Sequence, residues 1–398
     1  SRILTPAVAA PHATDQRTRH NTPAAMHDDL LGAGRADAKE QSVVKTRPES
    51  LSWFIGYMRS LRRPMGKIYM DFGEPVVLDE VPSSDNRLAL SKIALQVGVE
   101  ANRVTPITLA SLATMVLLGS APRALTREEL TREIARVVRW AQARDIRITR
   151  HFEIENEAEL AALAQVLIDN RLVSRYDDGP EDVYAIAPHQ ETVASYYRNT
   201  TIHHFVTKAI AELALAGVSA KESAPLDAYW QEVDRLRDLF KFEFFYAPRE
   251  EFHEEVSQEL ARYEADWQGQ LAADAEFARR LLRSLRPLIA HATLTQFVEA
   301  YYVVASVAAV TPHDTELDAG DCLKRCFAHA RQAYRRRRIS SEASIGKLLF
   351  QNGYKWMENR GLTASGGPEL AEQRAAARQG LRELMHRLQR IQVLALPN

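Results

Sequence analysis

The chain has 398 residues, 46% of them hydrophobic and 26% charged, with 51 Lys and Arg against 52 Asp and Glu and a formal net charge of -1. This length and apolar content suit a folded chain of two or three domains, and the charge balance argues against a protein built to coat nucleic acid, which needs a basic surplus. Its two cysteines, Cys322 and Cys326, exclude a disulfide framework by count; with no further Cys or paired His they make no metal site and read as core or half-buried thiols.

Residues 1–48 are rich in Ala, Pro, His, Asp and Arg without a sustained apolar period, which predicts disorder. No charged segment followed by an apolar run occurs there, so no signal peptide is expected. A helix is predicted over 52–63, with Trp53, Phe54, Tyr57, Met58 and Leu61 as its apolar stripe. The run Gly66-Lys67-Ile68-Tyr69-Met70-Asp71-Phe72-Gly73-Glu74-Pro75 reads as a short strand, alternating Ile68, Met70 and Phe72 with Tyr69 and Asp71, and Pro75 is expected to end its pairing. A second helix, over 85–100, places Leu90, Ile93, Ala94 and Val97 on one side. In Asn102-Arg103-Val104-Thr105-Pro106-Ile107-Thr108, Thr105 suits an N-cap and Pro106 the first helical position, opening an apolar helix that ends at Gly119. The stretch 104–122 carries no charge, but its prolines, hydroxyls and glycine predict a buried helix rather than a membrane span.

Thr126-Arg127-Glu128-Glu129 is a capping box opening a helix with Leu130, Ile134, Val137 and Val138 inward. A helix over 155–170, then Leu172-Val173, the turn Asp178-Gly179-Pro180 and Val183-Tyr184-Ala185-Ile186, follow in the order of a winged-helix unit. A DNA-binding regulator is therefore a rival reading. The 155–170 helix opposes it, since Glu155, Glu157, Glu159 and Asp169 without any Lys or Arg would repel phosphates.

Beyond Pro188 the pattern is all helical. A long helix is predicted over 191–217 and another over 226–246, the latter with Trp230, Val233, Leu236, Leu239 and Phe240 inward and Phe242, Phe244, Phe245 and Tyr246 at its exit. An amphipathic helix over 251–267, a buried one over 297–310 that is too short to span a bilayer, and a charged amphipathic one over 370–394 complete the series. Arg335-Arg336-Arg337-Arg338 is a basic run that fits either a solvated helix end or anionic lipid headgroups.

Three segments in order carry a resemblance: 66–75, 102–108, and Ser195-Tyr196-Tyr197-Arg198-Asn199-Thr200-Thr201-Ile202-His203-His204, with Phe240-Lys241-Phe242-Glu243-Phe244-Phe245 following. Together they resemble the bacterial glycerol-3-phosphate acyltransferases, from about Leu51 to the C-terminus. The resemblance implies acyl transfer from acyl-CoA or acyl carrier protein, as co-substrate, to the sn-1 hydroxyl of glycerol 3-phosphate, with no cofactor. In that family a His-x-x-x-x-Asp block supplies the general base, and downstream Arg-containing blocks hold the phosphate. These blocks precede the Gly-Lys-Ile-Tyr strand, with the first well over a hundred residues upstream, whereas here 65 residues precede it and the chain begins with Ser1. A truncated chain, inactive alone, is the expectation.

His313-Asp314-Thr315-Glu316-Leu317-Asp318 has the spacing of the first block, but it lies after the strand in a loop between helices and no phosphate-binding block follows it. His313 and Asp318 are therefore not assigned a catalytic role. Arg59-Ser60-Leu61-Arg62-Arg63 lacks the preceding Glu-Gly of the phosphate block and reads as the basic end of a helix. Gly66, Lys67, Tyr69, Phe72, Glu74, Pro75, Tyr197, Arg198, Asn199 and His203 are assigned structural roles, the polar ones satisfying one another and nearby backbone within a bundle. The expected architecture is mainly α: a disordered segment over 1–48, the end of an α/β acyltransferase domain over 49–82, a helical region with a winged-helix-like unit over 83–188, and a helical bundle over 189–398. The alternative function is a helical membrane-docking or protein-interaction module. The expected location is peripheral, at the cytoplasmic face of the membrane on anionic lipid, without nucleic acid and without a metal.

Overall fold

The computed structural model describes residues 19–21, 24–28, 68–78, 87–149 and 157–396. The helix expected over 52–63, together with Gly66 and Lys67, lies outside the described residues. What is described is mainly helical, as the sequence predicts.

Strands β1 (Arg19–Asn21) and β2 (Ala24–Asp28) pair antiparallel with β4 (Val76–Leu78) and β3 (Ile68–Phe72), respectively. This corrects the expectation of disorder over 1–48 at residues 19–21 and 24–28: the open edges of β3 and β4 take their backbone partners from this segment. As expected, the pairing of β3 ends before Pro75: its last paired residue is Phe72, Gly73-Glu74-Pro75 is an unpaired link, and β4 beyond it pairs with β1 in a separate two-stranded sheet.

Helix α1 (Arg87–Val104) packs its C-terminal half on this link, so tightly that a Cβ on Gly73 would lie 3.2 Å from the Glu100 carbonyl oxygen. Its predicted stripe is not buried as a unit, because Leu90 and Ala94 are exposed and Ile93 and Val97 half-buried. The next helix, α2 (Leu109–Ser120), is capped by Thr108 in a reciprocal box with Ser111, not by Thr105. Thr105 instead donates to the Ala101 carbonyl at the end of α1, and Ile107 is held extended by bonds to Arg147 and Thr149.

Strand β5 (Leu125–Thr126), α3 (Arg127–Gln142), α4 (Glu157–Asp169), β6 (Val173–Tyr176) and β7 (Val183–Ile186) follow, with β5, β7 and β6 forming an antiparallel sheet in that order. The connectivity from α2 onward, helix, strand, two helices and a hairpin whose second strand pairs with the first, is that of a winged helix. Thr126 caps α3 in the predicted box with Glu129. The core of this unit, with Ile107, Leu112, Val138 and Tyr184, also takes in Ala194, Tyr197 and Phe205, beyond the expected boundary at 188.

The long helix predicted over 191–217 is broken. Helix α5 (Glu191–Asn199) gives way to a 3-10 turn over Ile202–Phe205 and then α6 (Val206–Leu215). Thr200 Oγ1 donates to the Tyr197 carbonyl at the break, competing with helix continuation. The bundle continues with α7 (Pro225–Leu239), α8 (Arg249–Ala261), α9 (Trp267–Ala273), α10 (Phe277–Ser284), α11 (Ala290–Ala309), α12 (Ala319–Arg335), α13 (Lys347–Asn359) and α14 (Pro368–Ala395). Helix α7 stops seven residues before the predicted 246, and the aromatic run after it is irregular.

Helix α11 is the axis of the bundle, buried on nearly every side, with α8-to-α14 side chains such as Val256, Phe350, Leu384 and Leu388 in the same core. A Cβ on Gly353 would meet Val304 at 3.0 Å and Tyr301 at 3.2 Å, so α13 needs glycine to approach it. Among the described residues no helix is long and apolar enough to cross a membrane. Cys322 and Cys326 are buried one turn apart on α12, their sulfurs 3.8 Å apart.

Arg374 fixes the start of α14. Its guanidinium is fully buried and donates to the carbonyls of Leu362, Thr311, Pro312, Ala364 and, at 3.5 Å, Thr315. Replacing Arg374 with Met would keep much of the volume and strand these carbonyls. The expected cost is about 3 kcal/mol or more, read as a drop in the denaturant midpoint at unchanged m-value. A change below half a kilocalorie would show that the five bonds are dispensable.

Candidate functional site

Two of the resembling segments, 102–108 and 195–204, lie far apart in sequence and meet in the fold. His203 and His204, adjacent in the 3-10 turn with ring centroids 4.1 Å apart, each point Nε2 at a backbone carbonyl of the 102–108 segment. His203 donates to Asn102 and His204 to Thr105, both at 2.8 Å. Burial lowers the pKa of His204, which keeps it neutral and in its donating tautomer. One turn earlier, Arg198 is buried and donates to the Ala292 carbonyl on α11 (3.1 Å), to Ser195 Oγ (3.2 Å) and to Asn199 Oδ1 (3.1 Å). Gln296 donates to the same Asn199 oxygen at 3.0 Å. With no carboxylate partner among the described residues, Arg198 has its pKa pulled down to about 9 by desolvation. Tyr197 is buried in the winged-helix core. The Ser195 to His204 segment is thus the pin between α1, the winged-helix unit and α11.

The strand residues stand apart from this pin. Phe72, Glu74 and Pro75 are exposed, and Asp71 pairs with Arg147 at 2.5 Å. Tyr69 is paired through its backbone with His27 of β2. His313 Nδ1 donates to the Gly366 carbonyl (3.0 Å), and Asp318 caps α12 by accepting from Asp321 N (2.8 Å), so each already serves the backbone. Arg335, Arg336, Arg337 and Arg338 are exposed at the end of α12.

A cavity of about 250 Å³ opens beside the pin. Asn102, Ser195, Asn199, His203 and Gln296 give it a polar wall, and Phe244, Phe245, Phe297 and Leu349 an apolar one. Glu243, the acid inside the aromatic run, sits between them. Its Oε1 is buried without a hydrogen-bond partner; Asn352 and Tyr301 are neighbours, but Tyr301 Oη is also unpartnered. Desolvation, only partly offset by these neighbours and Lys355, raises the Glu243 carboxyl to about 7. A carboxyl poised there can donate or accept a hydrogen bond to a ligand hydroxyl within this wall. Among the described residues, His253 and Asp234 (2.7 Å) and His189 and Glu342 (3.3 Å) are paired, and neither pair lines the cavity. No group of three or more metal-ligating side chains occurs among the described residues.

Sequence reading named the segments but gave no role to Glu243, Gln296 or Ser195. For Glu243 a signal existed, a lone acid amid four phenylalanines; Gln296 lies in an apolar helix with nothing local to mark it.

A family model described as glycerol-3-phosphate acyltransferase C-terminal region matches residues 38–366. The chain is similar to proteins described as "Putative acyltransferase plsB1" from Mycobacterium bovis and from two strains of Mycobacterium tuberculosis, at 30% identity over 346 residues in each case. These alignments cover 85% of this chain and 55% of each relative, so the chain spans about half the length of the curated relatives it matches.

The Glu243 carboxyl, raised from its ordinary 4.5 to about 7, contributes stability that is fully present below pH 4.5 and is lost as pH rises through 7. Glu243→Gln cannot ionise. The wild-type stability minus that of the variant should therefore fall by roughly 2–4 kcal/mol between pH 4.5 and 8, measured by denaturant unfolding at each pH. A difference flat across that window would contradict the raised value.

Proposed function

Because the chain belongs to the glycerol-3-phosphate acyltransferase C-terminal family, we propose that it works in acyl transfer to the sn-1 hydroxyl of glycerol 3-phosphate, as the helical region that packs against and supports an acyltransferase domain. The donor in this reading is acyl-CoA or acyl carrier protein, and the reaction is the first of phospholipid synthesis. The observation that carries it is the surface of the segment resembling the end of the catalytic domain. Met70 (53% exposed), Phe72 (63%) and Val77 on β3 and β4, with Leu90, Leu95 and Val99 on α1, turn apolar side chains to solvent. Apolar exposure on packed neighbouring elements is the mark of a surface meant to be covered. The base and phosphate-holding groups then belong to the domain that covers it, and this chain supplies the pin, the cavity and the bundle.

A second reading, docking on an anionic membrane at the cytoplasmic face, is supported by Arg335 to Arg338, four exposed guanidinium groups in succession with Arg337 in a left-handed turn (φ 55°). Each basic group near such a surface contributes about 1 kcal/mol. A duplex-DNA reading draws no such support, since α4 carries Glu157, Glu159 and Asp169 and no Lys or Arg.

Two measurements test these readings. The isolated chain, given glycerol 3-phosphate with palmitoyl-CoA or palmitoyl-acyl carrier protein, should show no turnover, whereas the complete gene product should acylate glycerol 3-phosphate. Turnover by the isolated chain that His313→Ala abolishes would overturn the placement of the base, and a gene product that acylates other acceptors but never glycerol 3-phosphate would overturn the reaction. In flotation with phosphatidylglycerol vesicles, changing Arg335 to Arg338 together to Gln should weaken recovery by about tenfold or more. Equal recovery of both proteins would remove the membrane reading.

A further inference from the structure

Three helices end at one place. The C-termini of α3, α8 and α10 converge around a cleft of about 570 Å³ lined by Arg136, Arg139, Arg144, Arg262 and Arg286, with Trp140 and Tyr263 between them. Helix C-termini attract cations, and this accounts for part of the cluster. Arg144 donates to the Trp140 carbonyl and Arg262 to that of Ala143, both at 2.9 Å, and the buried Lys208 donates to Leu285 at 2.9 Å. The carboxylates are also taken: Glu133 pairs with Arg136 and Glu259 with Arg144, each at 2.6 Å.

Arg139 and Arg286 remain, exposed at the mouth and with side chains in no ion pair or hydrogen bond among the described residues; Arg286 feels the Glu133 charge, but that carboxylate is already paired with Arg136. Five guanidinium groups against two carboxylates leave three positive charges in one concavity of a chain whose net charge is -1. Like charges held that close repel, so the arrangement is stable in use when an anion of matching charge enters. Guanidinium forks suit phosphate oxygens better than a single carboxylate, and the volume falls in the range of about 300–1,000 Å³ of small-molecule sites.

We propose that this cleft binds a phosphate-bearing ligand, either a soluble phosphate ester or a lipid headgroup phosphate, held by Arg139, Arg262 and Arg286 over the Tyr263 edge. The site is separate from the Glu243 cavity and the proposal stands independently of the acyl-transfer reading.

The test uses the whole chain. Isothermal titration with inorganic pyrophosphate reports the soluble source, and flotation with phosphatidylcholine vesicles with and without phosphatidic acid reports the lipid source. Binding to at least one probe is expected. Arg139→Ala with Arg286→Ala should weaken it by about tenfold or more, while Arg139→Lys with Arg286→Lys, which keeps the charge but not the fork, should retain an intermediate affinity. Both positions are exposed, so an unchanged circular dichroism spectrum is expected. If neither probe binds, or if the alanine pair lowers the melting temperature and leaves the affinity unchanged, the arginines serve the helix ends alone and the proposal fails.

Discussion

Glu259 is the constraint on which the arrangement of the two cores depends. It sits on α8 of the bundle, buried, and accepts from three donors at the end of α3 of the winged-helix unit: Trp140 Nε1 on its last turn at 3.1 Å and, two residues past the helix, Arg144 Nε and Nη2 at 2.6 and 2.7 Å. Lys208 on α6 lies 3.7 Å away and links it to Glu212 at 3.4 Å. Glu212 in turn accepts from the backbone of Ile289 and Ala290 at 2.9 and 2.8 Å, capping α11, whose own N-cap residue has no side chain able to do so. One chain of buried charges therefore runs from the winged-helix unit, through two bundle helices, to the first turn of the central helix. Burial still raises the Glu212 carboxyl to about 7, so the chain holds together through bond geometry and costs desolvation at each step.

The same solution recurs through the bundle, mostly without an opposite charge. Glu299 accepts from Ser340 N and Ser344 Oγ, Arg198 donates to the Ala292 carbonyl and Arg374 to five carbonyls. Glu299 and Arg374 each satisfy backbone that a loop would leave unpaired, and Arg198 adds a bond to a carbonyl in the first turn of α11. Ion pairs of this depth add little net stability, but removing one partner leaves the other groups stranded. Such groups specify which helix ends meet, and apolar packing around α11 supplies the bulk of the cohesion.

The cavity beside the pin follows from this construction. Its polar wall is the surplus of the joint between α1, α5 and α11, and its apolar wall is the aromatic run that leaves α7. Phe245 reaches back over α1, where a Cβ on Gly98 would lie 3.0 Å from its ring. Family membership and the exposed apolar surface of β3, β4 and α1 place the chain beside an acyl-transfer domain in the reading proposed above, and the cavity and the arginine cleft lie on elements that the reading assigns to support.

The order of the helices, the capping box at Thr126, the winged-helix-like succession and the family itself were legible in the residues, because each depends on local spacing: an apolar period, a hydroxyl three residues before a glutamate, a run of matched residues. Breaks and partners were not. The turn that divides 191–217 depends on His203 and His204 reaching carbonyls a hundred residues earlier, and Thr108 displaced Thr105 as a cap because Ile107 bridges to Ile148. Strands over 19–21 and 24–28 were unreadable for the same reason, since only the open edges of β3 and β4 give them partners. Sequence alone determined the family and the helical periodicity; tertiary structure decided where helices stop, which charges are buried together and that Asn102, the 195–203 segment, the 243–245 run and Gln296 line one cavity, since each of these depends on long-range contacts between residues that local pattern cannot pair.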